Sequence, residues 1–199
     1  MELLPVTRAI VSVTDKSGLP DFASFLVKGG VELVSTGGTF KALQEAGLPV
    51  TPVSEVTSFP EIMGGRVKTL HPAIHGGILA DKDNPEHLDA LAGLRIRTFD
   101  LVCVNLYNFA DAARKNLGLR AAIEEIDIGG PTMLRAAAKN YHSILVVPSP
   151  AQYSRVQEAL SKNGMRAPLE LRRELAAATF AATSTYDGMI AEYMSGKTS

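Results

Sequence analysis

Short apolar runs alternate along this chain with segments of helical periodicity, and this alternation is the feature that most restricts its fold. The predicted strands are the runs rich in β-branched residues at 9–13, 31–35, 48–53, 100–106 and 143–148. Three of them are almost uniformly apolar, which is typical of strands covered by helices on both faces. Strand–helix alternation favours a parallel sheet with right-handed crossovers. We therefore predict an α/β fold, a parallel sheet flanked by helices.

The helical segments carry their own end signals. Between the first two strands, apolar residues at helical spacing precede Gly29 and Gly30, which indicates a helix and its C-cap. A second short helix is predicted over 39–46. The segment 150–199 is predicted to be a helical extension with one long helix over 169–194. Since no repeat or low-complexity linker is visible, we expect residues 1–199 to form a single domain.

Charge and cysteine content restrict the partners and the compartment. The net charge of −1 and the pI near 6.4 argue against binding to nucleic acid or to a membrane surface. The single cysteine, Cys103, lies in an apolar run and is predicted to be a buried core residue. Glu2 and Pro5 interrupt any early apolar stretch, and no run approaches the roughly 18 residues of a membrane span. These features predict a cytoplasmic protein.

Polar residues gather where the predicted strands end. Ligands of parallel α/β sheets bind outside the carboxyl ends of the strands. Residues 14–16 (Thr-Asp-Lys) follow the first strand, residues 36–39 (Thr-Gly-Gly-Thr) follow the second, and Asn105 ends the fourth. The sequence therefore predicts a binding site at this edge.

The turn STGGT at 35–39 is compatible with two structures. Its glycines allow close approach of an anion to a helix start, and Thr36 and Thr39 add hydroxyl donors. An ordinary tight turn between a strand and a helix has the same composition. The full patterns of the P-loop and of the dinucleotide-binding turn are absent.

The segment GGRVKTLHP at 64–72 places Arg66 and Lys68 on one side of an extended chain. Arginine binds phosphate oxygens as a fork, and lysine acts as a compact charge. A solvated surface loop is the alternative interpretation.

The next segment, HPAIHGG at 71–77, spaces His71 and His75 like a metal-binding pair on a helix. Pro72 and the glycines at 76–77 argue against a helix, and a third ligand is not apparent. We therefore expect no metal site here.

The segment IDIGGPTMLRAAAKN at 126–140 has Asp127 at one end and Lys139 near the other. Pro131 suits the first position of a helix, so the helix is predicted to begin at the double glycine, with free N–H donors. Lys139 then lies roughly 12 Å along the helix. Either this is a capped helix packed closely on a neighbour, or it brings two charged groups to a reaction.

Five segments taken together, VSVTDKSGL, STGGTFKAL, GRVKTLHPAIHGGIL, VNLYNF and IDIGGPTMLRAAAKN, closely resemble the IMP cyclohydrolase domain of the bifunctional purine-biosynthesis protein whose other half is AICAR transformylase. The match extends over residues 9–190. The resemblance implies a methylglyoxal-synthase-like fold, a homodimer and ring closure of formyl-AICAR to IMP. It implies no cofactor and no metal, and it makes an AICAR transformylase domain an expected partner.

The resemblance also implies the residues of the site. The nucleotide and phosphate residues it implies are Thr14, Asp15, Lys16, Thr36, Gly37, Gly38, Thr39, Arg66, Lys68 and Thr69. The residues it implies around the reacting base are Asn105, Tyr107, Asp127, Ile128, Gly129 and Lys139. We expect Asp127 to orient or deprotonate the carboxamide and Lys139 to protonate the departing hydroxyl. Asn105, Tyr107 and the N–H groups of residues 129–130 are expected to stabilise the oxyanion, and Lys68 completes the predicted catalytic set.

The sequence departs from the family pattern at Asn108, Tyr141, Ala178 and Ala182. The nearest alternative function is a regulatory module of the same fold that binds nucleotides without turning them over. Methylglyoxal synthase is a second alternative, but a GDQQ-type stretch with its catalytic acid is absent. A structural role within a purine-enzyme assembly is a third.

Overall fold

A five-stranded parallel sheet forms the centre of the protein. The computed structural model describes residues 1–63, 66–106, 109 and 119–196. The sheet has the strand order β4-β3-β2-β5-β6. Its strands are β2 Arg8–Val13, β3 Glu32–Ser35, β4 Thr51–Pro52, β5 Leu101–Asn105 and β6 Leu145–Val147. The predicted parallel α/β sheet is therefore confirmed.

Helices cover both faces of this sheet. Those that the structure describes are α1 Leu19–Lys28, α2 Gly37–Glu45, α3 Val53–Thr57, α4 Pro72–Leu79, α5 Pro85–Gly93, α6 Leu119–Glu124, α7 Gly129–Lys139, α8 Tyr153–Lys162 and α9 Leu169–Met194. In the described part of the chain, none of these helices is both long enough and apolar enough to cross a membrane.

The central strands are buried on both faces, as their apolar runs predict. Ile10, Val102 and Val146 lie in adjacent strands and have no exposed surface. Cys103 is also buried, and burial raises the pKa of its thiol to about 12. The prediction that it is a core residue is confirmed.

The strand predicted over 48–53 is much shorter in the structure. It contains only Thr51 and Pro52, which pair with the outer side of β3. Proline has no N–H to donate and is tolerated at the edge of a sheet. Helix α3 then begins at Val53, so the apolar run divides between a strand and a helix.

The C-terminal third is held closely to the rest of the chain. Helix α9 has the predicted bounds and packs against α7 and β6. An unpredicted antiparallel pair joins β1 Leu3–Pro5 to β7 Arg166–Pro168. The fully buried guanidinium of Arg172 donates hydrogen bonds to backbone carbonyls from both ends of the chain, including those of Met1 and Ala167.

The segment at 71–77 is a helix, so the prediction against one is wrong. Pro72 occupies its first turn, and the His71 side chain caps it by accepting the N–H of Ala73 at 3.1 Å. A Cβ on Gly77 would lie 2.6 Å from the carbonyl oxygen of Arg97. This glycine therefore serves close packing inside the helix and does not end it.

Candidate functional site

A cavity of about 660 Å³ lies at the carboxyl ends of β2 and β3, beside the start of α7. It brings together seven of the predicted site residues, namely Thr36, Arg66, Lys68, Thr69, Asp127, Ile128 and Gly129. Ser12, Met63, Ile123, Glu124, Ile126, Gly130 and Met133 complete its lining. The cavity lies at the edge where the sequence predicts a site.

The start of helix α2 forms the cationic end of this region. Thr36 is its N-cap residue, and the helix begins with Gly37, whose φ of +49° disfavours other residues. The Lys68 Nζ lies 3.5 Å from the position of a Cβ on Gly37, and the Lys16 Nζ lies 3.9 Å from that on Gly38. Two ammonium groups thus lie close to the N–H groups of a helix start, an arrangement suited to a phosphate.

Thr39 does not present its side chain to this space. Its hydroxyl donates to the carbonyl of Val13 at 2.9 Å and accepts the N–H of Val13 at 3.0 Å. The side chain is buried and ties α2 to β2. The predicted hydroxyl contact with phosphate is therefore not found, and only the backbone N–H of Thr39 could reach a ligand.

Asn105 holds the loop after β2 instead of facing a substrate. Its Oδ1 accepts the N–H groups of Thr14 at 2.8 Å and Asp15 at 3.0 Å, and its Nδ2 donates to the carbonyl of Asp15 at 2.8 Å. The residue is only 5% exposed. Its amide is therefore not directed at an oxyanion, as the prediction had it. Asn105 instead positions the loop that carries Lys16.

The exposed loop residues Thr14 and Asp15 do not line the cavity. The Asp15 carboxylate accepts the N–H of Ser17 at 2.9 Å. Hydrogen bonds from Ser17 lower the pKa of this carboxyl group. Asp15 thus shapes the loop that carries Lys16.

Asp127 is fixed at the start of helix α7. Its Oδ1 accepts the N–H of Gly130 at 3.0 Å, and its own backbone N–H donates to the hydroxyl of Tyr186 at 2.8 Å. A Cβ on Gly130 would overlap the second carboxylate oxygen of Asp127. The double glycine thus admits the carboxylate to the helix start. The N–H of Gly130 is used by Asp127 and is not free for an oxyanion, contrary to the prediction.

Thr69 lies beside the same helix start. It is buried, and its Oγ1 lies 2.7 Å from the position of a Cβ on Gly129. Glycine at 129 therefore allows the threonine hydroxyl to approach the first turn of α7. Thr69 and Asp127 meet at one wall of the cavity.

Arg66 and Lys68 are paired with carboxylates in the structure. Lys68 contacts Glu61 at 3.2 Å, and Arg66 contacts Glu124. Both pairs are partly exposed, so their attraction is weakened by water. The cations are oriented but remain accessible to a ligand.

Lys139 lies at the opposite end of α7 from Asp127. It is exposed and does not line the cavity. The rise of an α-helix places it about 15 Å from Gly129. The predicted convergence of Lys139 and Asp127 on one cavity is therefore not found in this chain.

The remaining predicted positions that the structure describes do not line the cavity. Tyr107 and Asn108 lie outside the described residues. Tyr141 is half-buried against the core, whereas Ala178 and Ala182 are exposed on α9. Within the described residues, no group of three or more His, Cys, Asp or Glu side chains could hold a metal ion.

Ser12 and Tyr186 contribute polar contacts to the site and are not among the predicted residues. The Ser12 hydroxyl lines the cavity 3.3 Å from that of Thr36, and Tyr186 holds the backbone of Asp127 from 59 residues away. Ser12 precedes the predicted loop and could have been found from its position near the end of β2. Tyr186 has no local signal, because only the folded chain brings α9 to α7.

Comparisons with known proteins identify the family of this chain. Residues 18–132 match the MGS-like domain family, and residues 137–199 match the AICARFT/IMPCHase bienzyme family. The bifunctional purine biosynthesis protein PurH of Rhodospirillum rubrum is 50% identical over 98% of this chain and 37% of its own length. PurH of Listeria monocytogenes is 52% identical over 96% of this chain and 38% of its own length.

A solved structure, "Crystal structure of ForH", has a TM-score of 0.82 and 34% identity, covering 94% of this chain and 98% of that chain. The chain spans a little over a third of the length of the curated PurH relatives it matches. It therefore belongs to the MGS-like domain family and resembles the IMP cyclohydrolase part of the bifunctional purine biosynthesis proteins.

Proposed function

We propose that this chain is an enzyme of purine biosynthesis, an IMP cyclohydrolase that closes formyl-AICAR to IMP. The observation that carries the proposal is the cavity that brings Thr36 and Lys68, at the start of α2, together with Asp127. Similarity to the PurH proteins supports it. A cytoplasmic location, a homodimer and an AICAR transformylase partner belong to the same proposal.

The phosphate of the ribonucleotide binds at the start of α2. Lys16 and Lys68 flank this helix start, and Arg66 reaches the same cavity from the loop before α4. Backbone N–H groups at residues 37–39 supply further donors. Because the net charge of the protein is −1, these local groups must supply the attraction for the anion.

The reaction joins two arms of one substrate. The carboxamide nitrogen attacks the formyl carbon, a carbon–nitrogen bond forms, and the formyl oxygen leaves as water with one proton from each of the two nitrogens. Holding both arms in attack geometry supplies much of the acceleration. A positioned proton acceptor contributes a further factor of roughly 10²–10⁴.

Asp127 is the proton acceptor in this proposal. Its Oδ1 is engaged by Gly130, so its geometry is fixed, and its side chain lines the cavity. The Thr69 hydroxyl, at the same wall, supports the oxygen of the formyl group. Asp127 thus accepts the proton that the nitrogen loses. In the same step, Thr69 donates a hydrogen bond to the oxygen, which gains electron density.

Two lysines are candidates for the donor of the leaving-group proton. The family resemblance favours Lys139, whereas the cavity favours Lys68. We assign the role to Lys68, because a donor must come within hydrogen-bond reach of the departing oxygen. Tyr107 retains its proposed place beside the base.

Incubation of the purified protein with formyl-AICAR in the presence of EDTA tests this function, with IMP formation followed by ultraviolet absorbance. We expect rapid turnover that EDTA does not reduce. Asp127→Asn should remove most of it, and the exposed Asp89→Asn serves as the matched control. Binding of IMP without turnover would instead indicate the regulatory nucleotide-binding module.

The two lysines are distinguished by parallel alanine variants. Lys68→Ala should lower kcat as well as raise KM, because it loses both a phosphate contact and the proton donor. Lys139→Ala should retain wild-type kcat if the donor is Lys68. A large fall in kcat for a folded Lys139→Ala protein would return the role to Lys139.

A further inference from the structure

The ammonium group of Lys68 has a carboxylate partner within the chain. It lies 3.2 Å from the carboxylate of Glu61. The Lys68 side chain is 29% exposed and that of Glu61 is 47% exposed. The pair is therefore open to solvent and can separate at low cost.

The ion pair extends across the turn that begins helix α2. Lys68 lines the main cavity, whereas Glu61 lines a second cavity of about 360 Å³. Thr36 borders both cavities, and Gly37 and Gly38 border the second. Glu61 thus reaches Lys68 beside Gly37 and Gly38, at the helix start where the phosphate is proposed to bind.

A phosphate at this helix start would compete with Glu61 for Lys68. A phosphate monoester carries a charge of about −1.5 to −2 at pH 7 and offers three acceptor oxygens. It also gains from the N–H groups at the start of α2, whereas the contact described for the Glu61 carboxylate is with Lys68. The phosphate therefore displaces the carboxylate, and its binding is weakened by the contact it must break.

We propose that Glu61 is an internal competitor for Lys68 that lowers the affinity of this site for phosphate monoesters, the product included. This inference rests on the proposed function, since it concerns the phosphate end of the same site. Glu61 acts through Lys68 and is a positioning residue, not a catalytic one. Its effect is to keep a phosphate-bearing product from being held too tightly.

Calorimetric titration with IMP and with inosine tests the proposal. Glu61→Gln should tighten IMP binding about two- to sixfold, the range expected for loss of one exposed ion pair. Inosine, which lacks the phosphate, should bind equally to both proteins. The KM for formyl-AICAR should fall by a similar factor.

Two controls separate a specific competitor from a general charge effect. Glu55→Gln removes an exposed carboxylate from nearby helix α3 and should change IMP affinity much less. In a Lys68→Met background, Glu61→Gln should give little or no gain. An equal gain in both backgrounds, or weaker IMP binding by Glu61→Gln, would overturn the proposal.

The wild-type titration distinguishes the two levels of inference. If wild-type protein neither binds IMP nor turns over formyl-AICAR, the proposed function fails and the role of Glu61 fails with it. If it binds IMP and Glu61→Gln behaves like Glu55→Gln, only the role of Glu61 is overturned.

Discussion

The amino edge of the parallel sheet contains a buried ion pair, that of Asp100 and Lys82, whereas the ion pairs of Arg66 and Lys68 at the carboxyl edge are open to solvent. Asp100, just before β5, accepts hydrogen bonds from the backbone and hydroxyl of Thr7 and from the N–H of Arg8 at 2.7–2.9 Å. Its other oxygen pairs with Lys82, and the two side chains are 10% and 12% exposed. At the opposite edge, Arg66 and Lys68 hold exposed carboxylates only.

The difference separates charges that hold the fold from charges that can exchange partners. A buried charge cannot lose its partner without a large penalty, because water does not replace the contact. An exposed ion pair contributes little to stability and is easily replaced by another anion. The amino edge is therefore suited to a structural role, and the carboxyl edge to binding.

The largest effect is expected at the amino edge. Asp100→Ala leaves the buried ammonium of Lys82 without its carboxylate and should lower the free energy of unfolding by about 3–5 kcal/mol. Urea denaturation measures this change. Asp89→Ala, on the exposed surface of α5, is the control and should change it by less than about 0.5 kcal/mol. Equal losses in the two variants would refute the structural role of Asp100.

At the carboxyl edge, the largest effect on turnover is expected from Gly130→Ala. The added Cβ overlaps the Asp127 carboxylate and must displace it, which should lower turnover about 100-fold. Steady-state kinetics with formyl-AICAR measures the loss. Gly188→Ala, on α9 where a Cβ would meet nothing within 4 Å, is the matched control and should leave turnover unchanged.

Arg66→Ala tests whether an exposed ion pair at the cavity serves binding more than stability. Unfolding free energy should change by less than about 1 kcal/mol. The KM should rise about tenfold, because a charged hydrogen bond to the phosphate is lost. Arg155→Ala breaks a comparably exposed pair between α8 and α9, that with Glu174, which does not line the cavity, and should affect neither KM nor kcat. If Arg66→Ala lowered the free energy of unfolding without changing the KM, this ion pair would serve stability and not binding.

The smallest effect concerns His75, a partly buried titratable group behind the cavity wall. Burial lowers the pKa of its imidazole, despite hydrogen bonds to the backbone of Thr69 and His71, and its Nε2 has no hydrogen-bond partner in the described chain. The unfolded chain therefore takes up a proton more readily than the folded one. The stabilising contribution of neutral His75 is present above about pH 6.5 and is lost as pH falls toward the folded-state pKa.

His75→Phe should flatten this decline in stability on acidification, measured by thermal unfolding between pH 7.5 and about pH 5. The exposed His142→Phe should leave the decline unchanged. A profile for His75→Phe that matches wild type would contradict the assignment of the decline to this group.

Much of the fold follows from periodicity that can be read locally. The buried central strands and the bounds of helix α9 agree with their apolar patterns. The prediction against a helix at 71–77 is wrong because Gly77 is needed for close packing against Arg97 and Phe99, which lie about 20 residues further along the chain. The short pair of β1 and β7 escaped prediction because three-residue strands carry too little pattern.

Some features of the candidate site also follow from local sequence, whereas others depend on contacts between distant residues. The positions of Thr36 and Gly37 at a helix start follow from a strand, a turn and a helix in succession. The use of the Asn105 amide by the loop at 14–15 joins residues about 90 positions apart, so no local pattern indicates it.

The sequence by itself determined the strands of the central sheet, the long helix α9, the edge at which polar residues gather and the family to which these segments are similar. Only the tertiary structure decided which charges meet there, since it pairs Glu61 with Lys68 and leaves Lys139 at the far end of α7. The physical reason is the separation along the chain over which each interaction acts. Burial patterns and helix capping act over a few neighbouring residues, whereas a charged side chain acquires its partner only after distant segments have packed.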